Sequence, residues 1–157
     1  MGRRLGAQKM ETGNAMKVYI LDTSVIVKWF SEYKEDGLDE SLRLRNDILE
    51  GKSSAIVPAL MFYELANALR YNPRFNADDV KTAVHSVMEM GLDVKGIDAE
   101  IMTRAVEIAF RFHATVYDTY FLALSQTENR PLVTADYRFF ERMKGFRNLL
   151  RLSDFAV

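Results

Sequence analysis

Twice in this chain a short, β-rich apolar run stops abruptly at a carboxylate, and that arrangement limits the folds open to it. The first run, Val18 to Leu21, ends in Asp22, Thr23 and Ser24 before a new apolar run begins at Val25. The second, Pro131-Leu132-Val133-Thr134-Ala135, leads into Asp136. Each reads as a strand that carries an acid at its own tip. In parallel sheets ligands bind outside the carboxyl ends of the strands, so two acids at two strand tips can share one site.

The intervening sequence supplies helices. Val25, Ile26, Trp29 and Phe30 recur at helical spacing, with Asp22 or Thr23 as the natural N-cap. The pattern breaks from Glu32 to Gly37, and a charged amphipathic helix follows from about Leu38 to Glu50, with Leu42, Leu44, Ile48 and Leu49 as its apolar members and Gly51 as its stop. Ala55-Ile56-Val57 is a second strand closed by Pro58, and a helix from Ala59 to Arg70 comes next. Asn76 caps a helix with Val80, Val84, Val87 and Met88 as its buried stripe, ending at Gly91. Leu92 to Ile97 reads as a third strand, and Asp98 caps a helix striped by Ile101, Ala105, Ile108, Ala109 and Phe112. Tyr117 to Thr127 is apolar on nearly every side, which marks a helix buried between other elements. Leu132 to Thr134, a short helix around Tyr137 to Met143 and a strand near Leu149 to Leu152 complete the series. Strands separated by helices predict an α/β fold with a mainly parallel sheet.

With 157 residues, 48% of them hydrophobic, the chain has material for one well-filled core. Residues Met1 to Ala15 lack periodicity and Met16 directly precedes the first strand, so residues 1–15 are expected to be a flexible leader, a cloning remnant or an upstream start, with a single domain over 16–157. Stretches such as Tyr120 to Leu124 fall far short of the roughly 20 residues of a membrane span, and no secretory apolar region follows the N-terminus. A soluble, cytoplasmic protein is the expectation. The absence of cysteine excludes disulfides and thiolate metal sites. A formal charge of −1 exerts no global pull on a polyanion. Between Arg130 and Arg151, however, six basic residues face two acidic ones, which fits a solvated helix face as well as a phosphate-binding surface.

Two further acids join the strand-tip pair. Glu64 shares a helix face with Leu60 and Ala68, beside the stripe of Met61, Leu65 and Leu69, so its carboxylate borders the core. Asp118 lies on one line with Leu122 and Ser125 and is expected to point inward. A buried lone carboxylate is costly, and no lysine or arginine occupies a matching inward position, so each acid needs a partner or a cation. If the four converge, mutual repulsion raises some of their pKa values unless a divalent ion neutralises the cluster. Oxygen ligation without Cys or His favours Mg²⁺ or Mn²⁺ over zinc. Simpler roles exist for each residue: Asp22 and Asp136 as helix caps, and Glu64 reaching solvent or pairing with Arg70. His85 and His113 read as structural, the latter favoured by a helix C-terminal dipole.

Four segments together, Leu-Asp-Thr-Ser (21–24), Tyr-Glu-Leu-Ala-Asn (63–67), Tyr-Asp-Thr-Tyr-Phe-Leu-Ala-Leu-Ser (117–125) and Leu-Val-Thr-Ala-Asp (132–136), resemble the PIN-domain family, in particular the small VapC-type toxin ribonucleases. The resemblance spans roughly Met16 to Leu152. It implies a PIN-like three-layer fold with helices about a mainly parallel sheet, a Mg²⁺- or Mn²⁺-dependent endoribonuclease of RNA, and an antitoxin partner that blocks the site. It also implies a homodimer. Asp22, Glu64, Asp118 and Asp136 match the acidic quartet that serves as metal ligands and catalytic residues, and Thr23, Ser24, Asn67 and Thr134 match polar supporting positions. Arg138 and Arg142 are candidates to guide the RNA backbone. The helices over 38–50 and 59–70 carry mixed apolar surface suited to an antitoxin or a second copy.

Other phosphoryl chemistries fit less well. A haloacid-dehalogenase-like phosphatase wants a second acid two positions beyond its nucleophile, where Ser24 stands, and no strand-tip lysine matches a phospho-accepting receiver domain. Neither GxGxxG nor GxxxxGK[ST] occurs. The remaining alternative is a non-catalytic PIN-like scaffold whose acids bind only metal or a protein partner.

Overall fold

A computed structural model describes residues 15–31 and 35–155. Its centre is β1 (Lys17–Leu21), whose Ile20 and Leu21 are fully buried. On one side β1 pairs with β2 (Ser53–Pro58), which pairs in turn with β3 (Asp93–Lys95). On the other side it pairs with β4 (Leu132–Thr134), which pairs with β5 (Leu149–Arg151). Every pairing is parallel and the order is β3-β2-β1-β4-β5. The chain therefore steps outward from β1 in one direction, then crosses back over it and steps outward in the other. This places a topological switch point between β1 and β4, where the connections leave a crevice at the carboxyl ends of the strands.

Seven α-helices are found among the described residues. These are α1 (Thr23–Val27), α2 (Leu38–Leu49), α3 (Leu60–Arg70), α4 (Ala77–Met88), α5 (Ala99–Phe112), α6 (Val116–Glu128) and α7 (Tyr137–Met143). Right-handed crossovers from β1 to β2 and β2 to β3 set α1–α4 on one face, and the reversed direction after β3 sets α5–α7 on the other. The contacts agree: α3 packs on α1 and α4, and α6 packs on α5 and on β1 and β2. Helix α6 is enclosed between α5 and the sheet, so every residue from Thr119 to Ser125 is buried, as its all-round apolar sequence predicts.

Local signals set several boundaries. Asn76 and Asp79 form a reciprocal capping box on α4. Asp98 accepts from the Ile101 amide at the start of α5, and His113 ends that helix in the left-handed region at φ 54°. Gly37 opens α2 at φ 78°, and a Cβ there would approach Leu152 Cδ2 to 3.1 Å, so glycine is favoured twice over.

Some expectations need correction. The third strand covers three residues rather than Leu92 to Ile97, because it is an edge strand with little to bury; Val94 is 45% exposed. Met88 and Leu49 are also largely exposed, and Ala83 takes the place of Met88 in the buried face of α4. After Val27 the helical run tightens into a 3₁₀ turn over Lys28–Phe30, with the Trp29 indole donating to the Ser41 carbonyl. Leu152 belongs to a closing 3₁₀ turn, not to β5. The leader expected over residues 1–15 lies outside the described residues except for Ala15, and the break expected from Glu32 to Gly37 lies partly outside them. No helix among the described residues is long and apolar enough to cross a membrane.

Candidate active site

The tips of β1 and β4 face each other across the switch point. The Asp22 amide donates to the Val133 carbonyl at 3.0 Å, so the two strands continue their pairing up to the acid itself. Asp22 occupies the N-cap position of α1 but makes no side-chain capping bond. Its Oδ2 instead accepts from Ser24 Oγ at 2.6 Å and from Thr134 Oγ1 at 2.9 Å. Ser24 Oγ also accepts from the Ala135 amide, and Thr134 Oγ1 from the Asp136 amide. Two hydroxyls thus use their protons on Asp22 and their lone pairs on the backbone that follows β4, Ser24 reaching across to it and Thr134 bonding it from its own strand, a consistent donor and acceptor assignment.

Glu64 enters from α3, its Oε1 accepting from Thr23 Oγ1 at 3.0 Å. The alternative partner, Arg70, lies elsewhere, with its guanidinium over the Tyr71 ring. Glu64 is half-buried, bordering the core as expected, and Ala68 on the same helix face is exposed. Asp118 enters from the first turn of α6, where Thr115 caps the helix through the Asp118 amide. It is half-buried at the crevice end of a helix whose next residues are fully enclosed. Asp136 is exposed and caps α7 by accepting from the Phe139 amide at 3.0 Å.

Three of the acids, Asp22, Glu64 and Asp118, are shifted, each in part by another acid of the set. Burial pushes the Asp22 carboxyl up to about 6, against the Ser24 and Thr134 hydrogen bonds and with repulsion from Asp118 and Asp136. Burial likewise raises Glu64 to about 7, offset by Thr23 and reinforced by Asp22 and Asp118. Asp118 is raised by burial and by Asp136, while Thr115 and the Arg142 guanidinium pull the other way. Among the described residues, no lysine, arginine or histidine forms an ion pair with any of the four. In the same residues no three Asp, Glu or His side chains stand ready to hold a metal ion. The donor chemistry nevertheless fits a hard divalent cation: carboxylate oxygens alone, one of them 9% exposed and lacking any positive neighbour.

The supporting positions divide. Thr23, Ser24 and Thr134 are in the network, but Asn67 is exposed and lines a separate cavity of about 850 Å³ between α3 and α4. Arg142 stands near Asp118 and donates to the His113 carbonyl at 2.8 Å, and Arg138 is exposed on the first turn of α7. Within the basic stretch Lys144 pairs with Glu141, and Arg151 with Asp154 while lying over the Phe140 ring. Those two cations serve the surface. Sequence reading missed Thr115, whose capping role in the Thr-x-x-Asp pattern was visible from spacing alone.

A model of the PIN domain matches residues 19–145. The chain belongs to the PIN-domain family. Among solved structures, VapBC2 from Rickettsia felis bound to a promoter DNA fragment is similar with a TM-score of 0.60 at 16% identity, over 85% of this chain and 96% of that one. The sarcin-ricin loop cleaving toxin VapC20 from Mycobacterium tuberculosis gives 0.62 at 15%, over 80% and 95%. PAE2754 from Pyrobaculum aerophilum gives 0.65 at 15%, over 92% and 90%. At these identities the likeness is one of fold. No curated protein matches the chain. The PIN-like α/β sheet and the resemblance to VapC proteins expected from the four motifs are thereby borne out.

Proposed function

We propose that this PIN domain is a divalent-metal-dependent endoribonuclease, the toxin of a toxin–antitoxin pair, with Asp22, Glu64, Asp118 and Asp136 as its catalytic acids. One observation carries the reading: the Asp22 carboxylate is buried at the switch-point crevice with two hydroxyl donors and no cation, beside two more carboxylates whose protons are held too tightly. A fold serving stability alone has no use for that arrangement, because each unpaired acid disfavours the folded state. A ligand that neutralises it would recover the loss.

In this reading Asp22 and Asp118 are the principal ligands of Mg²⁺ or Mn²⁺, and Glu64 and Asp136 complete the set directly or through water. When bound, such an ion supplies Lewis acidity toward a phosphodiester and offsets its charge. The chain's own groups do the positioning. Ser24 and Thr134 fix the orientation of the Asp22 carboxylate, and Thr23 fixes that of Glu64. Arg142, next to Asp118, and Arg138 guide the RNA backbone, which makes affinity salt-dependent. Antitoxin complexes among the similar structures support an antitoxin partner. The homodimer and a cytoplasmic location rest on family resemblance.

The test is incubation of total RNA with Mn²⁺, with and without EDTA, followed by sequencing of the cut ends. Metal-dependent cuts absent from an Asp118→Asn variant are expected. One observation favours the alternative of a non-catalytic scaffold, namely that no three acids already enclose a metal position among the described residues. Absence of cleavage of any RNA pool at high protein concentration would select it.

A further inference from the structure

Two large, exposed rings immediately precede two of the acids in the chain. Tyr63 precedes Glu64 on α3 and is 77% exposed; Tyr117 precedes Asp118 on α6 and is 62% exposed. Both line one cavity of about 330 Å³ that opens between these helices at the carboxyl ends of β2 and β3. Its remaining walls include Leu60, Met102 and Ile97, the last 87% exposed. The cavity falls at the lower end of the range of small-ligand pockets, about 300–1,000 Å³. The acid quartet uses neither ring, and among the described residues no aromatic pair employs them.

We infer that this cavity is a nucleobase subsite in which Tyr63 and Tyr117 stack an unpaired base of the RNA held at the acids. The inference rests on the nuclease reading and extends it to single-stranded RNA with a base in a defined place. Charge decides which part of a nucleotide enters. The cation at the rim, Lys95, is engaged by Asp93 at 3.1 Å and lies 4.0 Å from Glu128, and the neighbouring Glu64 and Asp118 are negative when ionised. A phosphate finds no free positive group there, whereas the flat apolar face of a base finds two exposed rings. Position decides the register. Tyr63 and Tyr117 each immediately precede an acid on the same helix, so the cavity they line adjoins the acids along both α3 and α6, and a strand whose phosphate lies over the acids can direct an adjacent base toward it. Single-stranded RNA is commonly recognised by splaying bases onto aromatic side chains.

Two measurements test this. The first uses an Asp118→Asn protein with Mg²⁺ and a short single-stranded oligoribonucleotide carrying one 2-aminopurine. Stacking should quench its fluorescence, and the added pair Tyr63→Leu and Tyr117→Leu should abolish the quench and weaken binding about 5- to 150-fold, the range that corresponds to one base–aromatic stack. Tyr63→Phe and Tyr117→Phe should restore both. The second compares cleavage: the leucine pair should raise KM and scatter the mapped cut positions with kcat little changed. If the leucine pair fails to fold, Tyr63→Leu alone, whose ring is mostly in solvent, carries the same comparison. An undiminished quench together with unchanged cut positions overturns the subsite while leaving the nuclease intact. A leucine pair that binds RNA normally but loses self-association in sedimentation, or loses a protein partner, overturns it too and marks the rings as a protein interface. Wild-type protein that cuts no RNA overturns the nuclease reading, and the fluorescence measurement still decides the pocket.

Discussion

The tips of β1 and β4 carry the same short pattern, strand then Asp then helix, yet the two acids are used differently. Asp136 is exposed and caps α7 through the Phe139 amide, a role the local sequence fully explains. Asp22 is buried, leaves its helix uncapped, and spends its Oδ2 on Ser24 and on Thr134 from the other strand. The difference comes from position in the sheet. The central strand delivers its acid to the floor of the crevice, while β4, one strand further out, delivers its acid to the rim. A cap is a contribution to folding, and a buried, cation-free carboxylate is a cost that only a ligand offsets.

The sharpest way to break this comparison is activity. Asp22→Asn should reduce metal-dependent RNA cleavage by roughly 10³-fold, the scale of the several kcal/mol that a metal centre contributes, and Asp136→Asn by roughly 10- to 100-fold. Equal losses in single-turnover rates would show floor and rim to be equivalent.

Stability without metal comes next and has the opposite sign. Because burial lifts the Asp22 carboxyl from 3.8 to about 6, the folded state holds its proton over a pH range in which the unfolded chain has released it. Below pH 4 both states are protonated and the residue is neutral in effect; from pH 4 to 6 stability falls, and above 6 the full penalty applies. Urea unfolding in EDTA should therefore find Asp22→Asn more stable than wild type by up to about 3 kcal/mol at pH 7.5 and little different at pH 3.5. A destabilised Asn variant at pH 7.5 would remove the penalty from the account.

Divalent ions should act on the floor. Mg²⁺ or Mn²⁺ at about 100 times its dissociation constant should stabilise wild type by about 2.7 kcal/mol, read as a rise in Tm, with most of that rise absent in Asp22→Asn. The smallest effect belongs to the cap: Asp136→Ala should cost about 1 kcal/mol in EDTA, as loss of an N-cap does. An Asp136→Ala protein more stable than wild type would place it with Asp22.

Much of this was legible in the residues. The stripe of α5 and the enclosure of α6 follow from periodicity, since both helices bury what their sequences offer. β3 was overextended because Leu92 to Ile97 has strand-like composition, whereas only pairing with β2 determines which of those residues belong. Leu49 and Met88 sat at plausible core positions, and only tertiary packing shows that nothing covers them. For the site, the acids could be named from four motifs, but not which oxygen each hydroxyl holds. Ser24 and Thr134 meet on Asp22 from segments far apart in the sequence, and Asn67, of the same polar character, is exposed and lines the cavity between α3 and α4 instead.

The bond from Thr134 to Asp22 closes a span of 112 residues. At the usual pace of translation, about 5–20 residues per second, the ribosome has been adding chain for on the order of ten seconds after Asp22 before Thr134 is even incorporated. Through that interval the central strand lacks one neighbour and its acid lacks half of its hydroxyl support. A growing chain thus carries the Asp22 carboxylate with only the Ser24 hydroxyl on its Oδ2 until Thr134 has been added and β4 can pair with β1.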